Sequence, residues 1–307
     1  MMEHRNCDGG YEPLPSWLKA KLPKAPYTAQ MKAMLRSFNL HTVCEAAKCP
    51  NIGECFSRGT ATFMILGDVC TRSCRFCAVS KGTPKPVDHD EPMRIARMVN
   101  ALGIRHAVIT SVTRDDLPDQ GAHHFAATVA AIKHHCDGVT VEVLTPDLRG
   151  ERELVRVIID SQPDVFNHNI ETVRRLQKLI RPQADYWRSL GVLKMAKEMD
   201  GNVVIKSGLM VGLGESDDEV IEAMADLLSV GCDIVTIGQY LQPTRRHHPV
   251  MRYVPPETFE RYREEGLRMG FKAVIAGPFV RSSYMAEAAF RLATPICKPS
   301  EHSRGNL

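Results

Sequence analysis

The sequence predicts an α/β fold, a parallel β-sheet with helices on its outside, arranged as an open, partial (β/α)6 barrel. Strand candidates and helical segments alternate about six times through the middle of the chain. The strand candidates are continuous apolar runs, which is typical of parallel strands covered on both faces. Six units are too few for a closed eight-fold barrel. A doubly wound sheet is the alternative that periodicity leaves open, and in either fold the active site lies at the carboxyl ends of the strands.

The regular pattern begins near Thr62 and continues strand by strand. The strand candidates are ATFMIL (61–66), HAVITSV (106–112), VTVEVLTP (139–146), DVFNHNI (164–170), VVIKSGLMVG (203–212) and DIVTIGQY (233–240). The helices between them are predicted near 95–102, 122–135, 151–160, 170–179, 188–199 and 217–230. Apolar residues repeat at helical spacing most clearly at 95–102 and within 217–230.

Three segments are expected along the chain. The first is an N-terminal extension (1–60) that carries one group of cysteines and begins with a Pro- and Lys-rich stretch, extended or partly helical. The second is the partial barrel (61–275). The third is a C-terminal extension (276–307), whose tail beyond residue 286 has no recognisable catalytic motif.

Composition and charge narrow the classes of function. With 44% hydrophobic and 24% charged residues, the chain has the balance of a globular protein. A net charge of +3, from 39 basic and 36 acidic residues, argues against a nucleic-acid binder or a membrane-surface binder driven by bulk charge. No apolar run approaches the ~18 residues of a membrane span, and the N-terminus has no apolar signal core. We therefore expect a cytoplasmic protein with no nucleic-acid or membrane partner.

Cysteine is the unusual residue. Six of the ten cysteines fall between Cys44 and Cys77, and such clustering in a reducing compartment indicates metal or redox chemistry. Cys70, Cys74 and Cys77 form a C-x3-C-x2-C loop directly after the first strand candidate. Three thiolates so close can hold a [4Fe–4S] cluster and leave one iron free to bind a small molecule. The alternatives are structural zinc, which needs four closed ligands, or buried thiols.

Another triplet, the first along the chain, precedes the first strand, so Cys70, Cys74 and Cys77 form the second triplet. Cys44, Cys49 and Cys55 have the spacing C-x4-C-x5-C and again have no nearby fourth ligand. Six ligands exceed the four corners of one cluster, so two [4Fe–4S] clusters are the economical interpretation. The alternative is a single cluster together with three inert cysteines. The isolated cysteines Cys7, Cys136, Cys232 and Cys297 are interpreted as ordinary thiols.

The second triplet, with the aromatic Phe76 just before its last cysteine, resembles the signature of the radical S-adenosylmethionine superfamily. The resemblance narrows to the lipoyl synthases over roughly residues 40–286. It is carried by CEAAKCPNIGECFSRGTATFMILGDVCTRSCRFC, SVTRDDLPDQGA, VEVLTPDLRG, FNHNIETV, SGLMVGLGE, PVMRYVPPE and GPFVRSSYMA. The chain departs from the family pattern at Met285 and at Arg245 and Arg246. The role of these three residues in contacts at the surface or with a carrier is left open.

The resemblance implies a reaction and a set of partners. The open iron would chelate S-adenosylmethionine, whose cleavage gives a radical able to attack unactivated C–H bonds. Two sulfur atoms from the auxiliary cluster would then enter at C6 and C8 of an octanoyl chain on a carrier-protein lysine. The implied partners are octanoylated lipoyl domains of 2-oxo-acid dehydrogenase E2 proteins, the glycine cleavage H protein, a flavodoxin- or ferredoxin-like electron donor, and an iron–sulfur carrier.

Two rival functions stay open. One is a radical enzyme whose auxiliary cluster only transfers electrons. The other is a non-catalytic iron–sulfur electron carrier, against which the chain length and the six-fold βα pattern argue.

The motif Arg281-Ser282-Ser283-Tyr284 is the candidate for the missing fourth ligand of the auxiliary cluster. It follows the apolar run AVIAGPFV, which would end at the mouth of the barrel, and it offers two hydroxyls. The resemblance ties this motif to the auxiliary cluster through a serine oxygen. An oxygen ligand binds iron less softly than a thiolate and can be released more easily. We choose Ser283, although the sequence barely separates it from Ser282. A polar turn is the alternative.

Gly212 and Gly214 follow the strand VVIKSGLMV, and the family resemblance implies that they contact S-adenosylmethionine. Glycines at a strand-to-helix turn allow close approach of backbone to a ligand, and free amides there can bind a carboxylate. The alternative is a left-handed turn with Glu215 near the helix start.

Two further carboxylates are predicted cofactor contacts. Asp115 follows a strand and could accept hydrogen bonds from S-adenosylmethionine, or it forms a loop salt bridge. Glu142 lies inside a strand, where an unpaired charge would cost several kcal/mol, so it binds ligand or pairs with an arginine such as Arg149. Asn167, His168 and Asn169 could line the cavity, but for the histidine a hydrogen-bonded core position is the favoured interpretation.

Overall fold

The computed structural model describes residues 4–5, 11–12, 14–19, 25–58 and 60–294. Cys7, Cys297 and the end of the C-terminal extension lie outside these residues. The strands are β1 (His4–Arg5), β2 (Tyr11–Glu12), β3 (His41–Thr42), β4 (Thr62–Ile65), β5 (Val69–Cys70), β6 (Ser80–Lys81), β7 (His106–Ser111), β8 (Thr140–Leu144), β9 (Val165–Asn167), β10 (Val204–Val211), β11 (Ile234–Gln239) and β12 (Ala273–Gly277).

The helices follow the predicted alternation closely. They are α1 (Ala25–Ser37), α2 (Val43–Ala46), α3 (Ile52–Ser57), α4 (Glu91–Ala101), α5 (Ala122–His135), α6 (Arg152–Asp160), α7 (Gln177–Ile180), α8 (Tyr186–Met199), α9 (Asp217–Ser229), α10 (Pro256–Met269) and α11 (Ala286–Ala293). Three short 3-10 turns occupy Ser16–Leu18, Leu148–Gly150 and Arg174–Leu176. No helix in the described part of the chain is long and apolar enough to cross a membrane.

The main sheet has eight strands in the order β12-β11-β10-β9-β8-β7-β4-β3. All neighbours are parallel except β3 and β4, which are antiparallel. The parallel strands follow one another in chain order, whereas a doubly wound sheet reverses its order at a switch point. The strand order therefore confirms the barrel-type progression, and in the described residues the two edges of the sheet stay unpaired, so the barrel is open.

The sheet contains one parallel strand more than the six predicted. β12 comes from the run AVIAGPFV and pairs with β11 from Ala273 to Gly277. It continues two residues past the boundary drawn at residue 275, and the division into three segments stays a prediction.

Burial explains why the strands read as continuous apolar runs. All four residues of β4 and all six of β11 are buried, because the sheet is covered on both faces and shares a core with the helices packed against it. On α4 the residues Ile95, Met98 and Val99 point into this core. Helix α9 begins with a capping box in which Ser216 and Glu219 bond to each other's backbone amides.

Candidate functional site

A cavity of about 470 Å³ opens among the segments that follow the carboxyl ends of the parallel strands. This is where the fold class places an active site. Five of the six clustered cysteines line it: Cys44, Cys49, Cys70, Cys74 and Cys77. Phe76, Arg281, Ser282 and Ser283 line it as well. The fold thus brings two cysteines of the first triplet, the whole second triplet and three residues of the RSSY motif to one chamber, whereas Cys55 and Tyr284 are not among its lining residues.

The loop of the second triplet is held by backbone hydrogen bonds to its surroundings. The amides of Arg72 and Thr113 both donate to Cys70 Sγ at 3.4 Å. Arg75 N donates to Ile180 O at 2.8 Å, which ties the loop to the end of α7. Such N–H to sulfur bonds stabilise thiolate and tune a bound cluster.

The side chain of Arg72 also holds this loop in place. Its guanidinium donates two bonds of 2.8 Å to the carboxylate of Asp115 and one of 2.8 Å to Asp147 Oδ1. Burial alone would raise the pKa of both carboxyls, but Arg72 lowers them below their usual range. A buried arginine with two carboxylates anchors the cluster loop to the loops after β7 and β8.

The first triplet lies on α2, on the turn that follows it and on α3. The pKa of the Cys44 thiol is raised to about 11 and that of Cys55 to about 12, mainly by burial and in smaller part by charge on Cys49. The three sulfurs are therefore close enough to interact electrostatically. Asn51, between Cys49 and Cys55, donates from Nδ2 to Phe279 O at 2.6 Å and so fastens this segment to the C-terminal one.

The RSSY motif meets the first triplet across the cavity. Ser283 Oγ accepts a hydrogen bond of 2.8 Å from the Thr62 hydroxyl at the start of β4. Ser282 Oγ accepts from Asn167 Nδ2 at 2.9 Å and donates to Asn169 Oδ1 at 3.0 Å. Burial lowers the pKa of the Arg281 guanidinium, and the nearby Cys49 opposes that shift.

The chemistry of these donors suits iron–sulfur clusters. All eight described cysteines are free thiols. Burial raises the pKa of Cys74, and raises that of Cys77 to about 12, so these thiols stay protonated until a cation takes the proton's place. No three His, Cys, Asp or Glu side chains in the described residues converge on one metal ion. A four-iron cluster does not require such convergence on a single ion, because each cysteine binds a different iron of the cluster.

Polar residues complete the cavity wall, and the sequence analysis did not assign two of them, Glu171 and Arg181. Glu171, Arg181 and Asn169 all line it. Asn169 Nδ2 donates to Glu171 Oε1 at 3.1 Å, and burial raises the pKa of Glu171 while Arg181 opposes the rise. Arg181 donates from Nη1 to the carbonyls of Asn169 at 3.2 Å and Ile170 at 3.0 Å. A carboxylate and a guanidinium on one wall can bind a ligand that carries both an ammonium and a carboxylate.

His168 is buried on the same wall with both ring nitrogens satisfied. Nδ1 lies 2.8 Å from the Thr145 carbonyl, which can only accept, so Nδ1 carries the proton. Nε2 accepts from the Ser189 hydroxyl at 3.0 Å. Burial lowers the pKa of His168 to about 4, and the charge of Arg181 acts in the same direction. The hydrogen-bonded core histidine favoured by the sequence is what these contacts describe.

Comparison with known proteins identifies the family. The model of the radical SAM superfamily matches residues 64–227, and that of the N-terminal domain of lipoyl synthase matches residues 3–49. The lipoyl synthase of Rubrobacter xylanophilus is 57% identical, with 89% of this chain and 85% of the relative covered. That of Caldanaerobacter subterraneus is 55% identical, with 91% and 98% covered. The chain belongs to the lipoyl synthase family.

Solved structures agree on the fold. HydG, a maturase of the [FeFe]-hydrogenase, aligns with a TM-score of 0.56 at 14% identity, covering 75% of this chain and 53% of HydG. Methylornithine synthase aligns with a TM-score of 0.51 at 14% identity, covering 62% of this chain and 55% of that structure. At this identity the likeness concerns the fold, and the chain spans about half the length of each. Lipoyl synthase membership rests on the sequence relatives.

Among the residues that the lipoyl synthase resemblance suggested as cofactor contacts, Phe76 lines the cavity, while Gly212 and Gly214 are not among its lining residues. The amides of Gly212 and Leu213 donate to the Glu215 carboxylate at 2.6 and 2.9 Å. Both glycines have positive φ, at 96° and 112°. These contacts are those of a left-handed turn closed by Glu215, and a role in binding S-adenosylmethionine stays a prediction.

Asp115 and Glu142 are both engaged in ion pairs. Asp115 pairs with Arg72, as described above. Glu142 is 1% exposed and receives Lys206 Nζ on both carboxylate oxygens at 2.9 Å. Burial alone would raise the Glu142 pKa, but Lys206 and His106 lower it to about 2. The partner is Lys206 and not Arg149, which donates to Glu151 instead.

Proposed function

We propose that this chain carries out the lipoyl synthase reaction inside the cavity, with the two cysteine triplets as separate cluster sites. Lipoyl synthases are radical SAM sulfurtransferases that use S-adenosylmethionine and [4Fe–4S] clusters, and their reaction is sulfur insertion. The observation that carries the proposal is the convergence of residues from both triplets and from the RSSY motif on one cavity. Insertion of sulfur needs the substrate carbon within reach of both clusters.

The bound groups supply the chemistry that side chains lack: S-adenosylmethionine on a reduced cluster yields a radical that removes hydrogen from unactivated carbon, and the auxiliary cluster yields sulfur. Cys70, Cys74 and Cys77 are assigned to the first of these clusters. Their loop follows β4, as the fold requires, and Arg72 holds it against Asp115 and Asp147. Three thiols leave one iron corner without a protein ligand.

Glu171 and Arg181 are assigned to the charged ends of S-adenosylmethionine. Its methionyl part has an ammonium, which would pair with Glu171, and a carboxylate, which would pair with Arg181. The Glu171 carboxylate faces a cavity and has a raised pKa, so a neighbouring ammonium would stabilise its ionised form. Phe76, on the cavity wall beside the cluster loop, offers a face on which an apolar part of the ligand can pack.

Cys44, Cys49, Cys55 and Ser283 are assigned to the auxiliary cluster. Arg281 faces Cys49 and would stabilise the negative charge of thiolates there. A Ser283 oxygen completes the set as the least soft of its four ligands. Of the four side chains, Ser283 would therefore hold iron least strongly.

The remaining cavity wall suits an octanoyl chain. It is largely aliphatic, and its apolar members include Val43, Ala47, Met64, Val79, Val112, Leu144, Leu209 and Met210. A volume of about 470 Å³ lies within the usual range of ligand pockets. Such a wall excludes water from a carbon radical, which limits side reactions.

Lipoyl carrier proteins in general are the substrates of this family. We propose the E2 lipoyl domains and the glycine cleavage H protein as carriers, a flavodoxin- or ferredoxin-like electron donor, an iron–sulfur carrier that rebuilds the auxiliary cluster, and the cytoplasm as the compartment. The free state of all eight described cysteines supports a reducing compartment.

One anaerobic experiment tests the function. Protein reconstituted with ³⁴S-labelled sulfide is mixed with S-adenosylmethionine, a reductant and an octanoyl-lysyl peptide, and the peptide is analysed by mass spectrometry. We expect a lipoyl product carrying the label. Cleavage of S-adenosylmethionine without labelled product would favour an auxiliary cluster that only transfers electrons. Absence of cleavage would favour the electron carrier.

A further inference from the structure

A basic groove lies beside the loop of the second cysteine triplet. It is lined by Ser73, Arg75, Lys81 and residues 244–247, together with the segment 77–79, and has a volume of about 560 Å³. Arg75, Lys81, Arg245 and Arg246 are all exposed. Among the described residues that line the groove there is no Asp or Glu. The chain as a whole has a net charge of only +3, so this positive potential is a local feature.

The groove is coupled directly to the cluster loop. His247 Nε2 donates to the Cys77 carbonyl at 3.0 Å, and the Thr244 hydroxyl bonds to His247 Nδ1 at 2.8 Å. The backbone amide of His248 donates to Arg75 O at 2.9 Å. The arginine-bearing segment 244–247 is thereby fixed against the backbone of a cluster ligand.

The same groove shares a wall with the cavity. Cys77, Ala78 and Val79 line both. A protein seated in the groove would therefore come within one layer of chain of the Cys77 sulfur without entering the cavity. Electron transfer requires only such close approach, and its rate falls steeply with distance.

We propose that the basic groove docks an acidic one-electron donor protein of the flavodoxin or ferredoxin class, which reduces the cluster at Cys70, Cys74 and Cys77. The proposal rests on the proposed function, because it needs a redox cluster at that triplet. The donor loses one electron and the cluster gains it, with no bond or proton changed at the groove. Redox encounters use small, electrostatically steered interfaces, which a compact cluster of cations provides.

An octanoylated carrier fits the groove less well. Its acyl chain must reach the space between the two triplets, whereas the segment 77–79 stands between the groove and that space. A carrier seated there would have to thread its chain past a wall. The electron donor is thus the occupant that both the charge and the position favour.

The test uses the double variant Arg245→Glu/Arg246→Glu in cluster-loaded protein. Arg97→Glu on α4, the same type of substitution at an exposed site outside the groove, is the control. Two readouts are taken: the Kd for a reduced bacterial flavodoxin as a function of salt, and the rate of S-adenosylmethionine cleavage. Cleavage is driven either by subsaturating flavodoxin or by photoreduced deazaflavin, a small reductant that needs no docking surface.

We expect the double variant to weaken flavodoxin binding and to slow flavodoxin-driven cleavage, each by about tenfold at low salt, and to flatten the salt dependence. Deazaflavin-driven cleavage and both properties of Arg97→Glu stay unchanged. Unchanged flavodoxin binding in the double variant overturns the proposal. So does a raised KM for an octanoylated lipoyl domain under deazaflavin with donor binding intact, since that result assigns the groove to the carrier. Failure of the unaltered protein to cleave S-adenosylmethionine with deazaflavin would count against the proposed function, and the binding measurement would still decide on the groove.

Discussion

The hydroxyl of Thr62 donates a 2.8 Å hydrogen bond to the hydroxyl of Ser283, which joins the first barrel strand to the RSSY motif. This is the one side-chain hydrogen bond of Ser283 among the described contacts. Ser282 differs, because it accepts from Asn167 and donates to Asn169. The two serines, barely separable in sequence, both line the cavity but have distinct surroundings: Ser282 bonds to two asparagine side chains, whereas Ser283 bonds to one hydroxyl and has more capacity left to bind a metal.

From this difference we expect Ser283→Ala to keep cleavage of S-adenosylmethionine but to give little or no lipoyl product, a larger loss than the ~10–100-fold typical of removing an outer-shell partner of a metal ligand. Product is measured by mass spectrometry on an octanoyl-lysyl peptide. Ser282→Ala is the matched control and should be milder. The reverse order would move the ligand assignment to Ser282, and full activity in both variants and in the double variant would remove the motif from the mechanism.

The two triplets should separate by role. Cys74→Ala removes a ligand of the cluster that binds S-adenosylmethionine, so cleavage should be abolished. Cys49→Ala should keep cleavage but give no sulfur insertion. Cleavage is followed by the release of 5′-deoxyadenosine, and folding of both variants by circular dichroism. Equal loss of cleavage in two folded variants would show that the triplets do not act separately.

Iron content gives an independent count of sites. Anaerobically reconstituted protein should hold about eight irons per chain, from two four-iron clusters. Changing Cys70, Cys74 and Cys77 together to Ala should leave about four, and the same change at Cys44, Cys49 and Cys55 should leave about four as well. Stoichiometric zinc without charge-transfer absorption would contradict the assignment of iron–sulfur clusters.

The sequence predicted the sheet, its helices and the position of the cavity. The spacing of hydrophobic residues and the ends of strands can both be recognised within short segments of sequence. It did not predict what Glu142 pairs with. That partner, Lys206, lies on β10, two strands away through β9, and only the register of the sheet brings the two side chains together. A signal was present: a lysine interrupts VVIKSG as a glutamate interrupts VTVEVL. Two residues of opposite charge inside apolar strands of one parallel sheet are candidates to form an ion pair.

Glu171 and Arg72 were missed for a similar reason. Glu171 has a positive φ of 66° and follows β9 after four residues, so no strand pattern marks it as a cavity residue. Arg72 lies within the cysteine loop, where the sequence analysis assigned chemistry to the thiols alone. Its two carboxylate partners come from the loops after β7 and β8, which are 43 and 75 residues away in sequence. Long-range pairing of this kind is set by topology rather than by local composition.

The Glu142–Lys206 pair makes a stability prediction. Glu142→Gln leaves a buried ammonium without its counter-charge, and Lys206→Met leaves a buried carboxylate, so each should cost about 3–5 kcal/mol. The double variant should cost less than the sum, and the difference measures the coupling. Thermal unfolding of the cluster-loaded protein provides the comparison. Glu222→Gln breaks the exposed pair with Arg174 and should cost less than about 1 kcal/mol. Additive losses at Glu142 and Lys206 would contradict a tightly coupled pair.

His168 predicts how stability responds to mild acid. Its pKa is lowered to about 4 from 6.5, mainly by burial, so between these values the unfolded chain binds a proton that the folded chain does not. Stability therefore falls as pH drops through that window, and lowering the pH from about 7 to about 5 should cost roughly 2 kcal/mol at this site. His168→Asn can still donate to the Thr145 carbonyl but does not titrate. It should flatten the decline in melting temperature over this range, while the exposed control His135→Asn should follow the unaltered protein. An identical decline in His168→Asn and in the unaltered protein would show that His168 does not stay neutral in the folded chain.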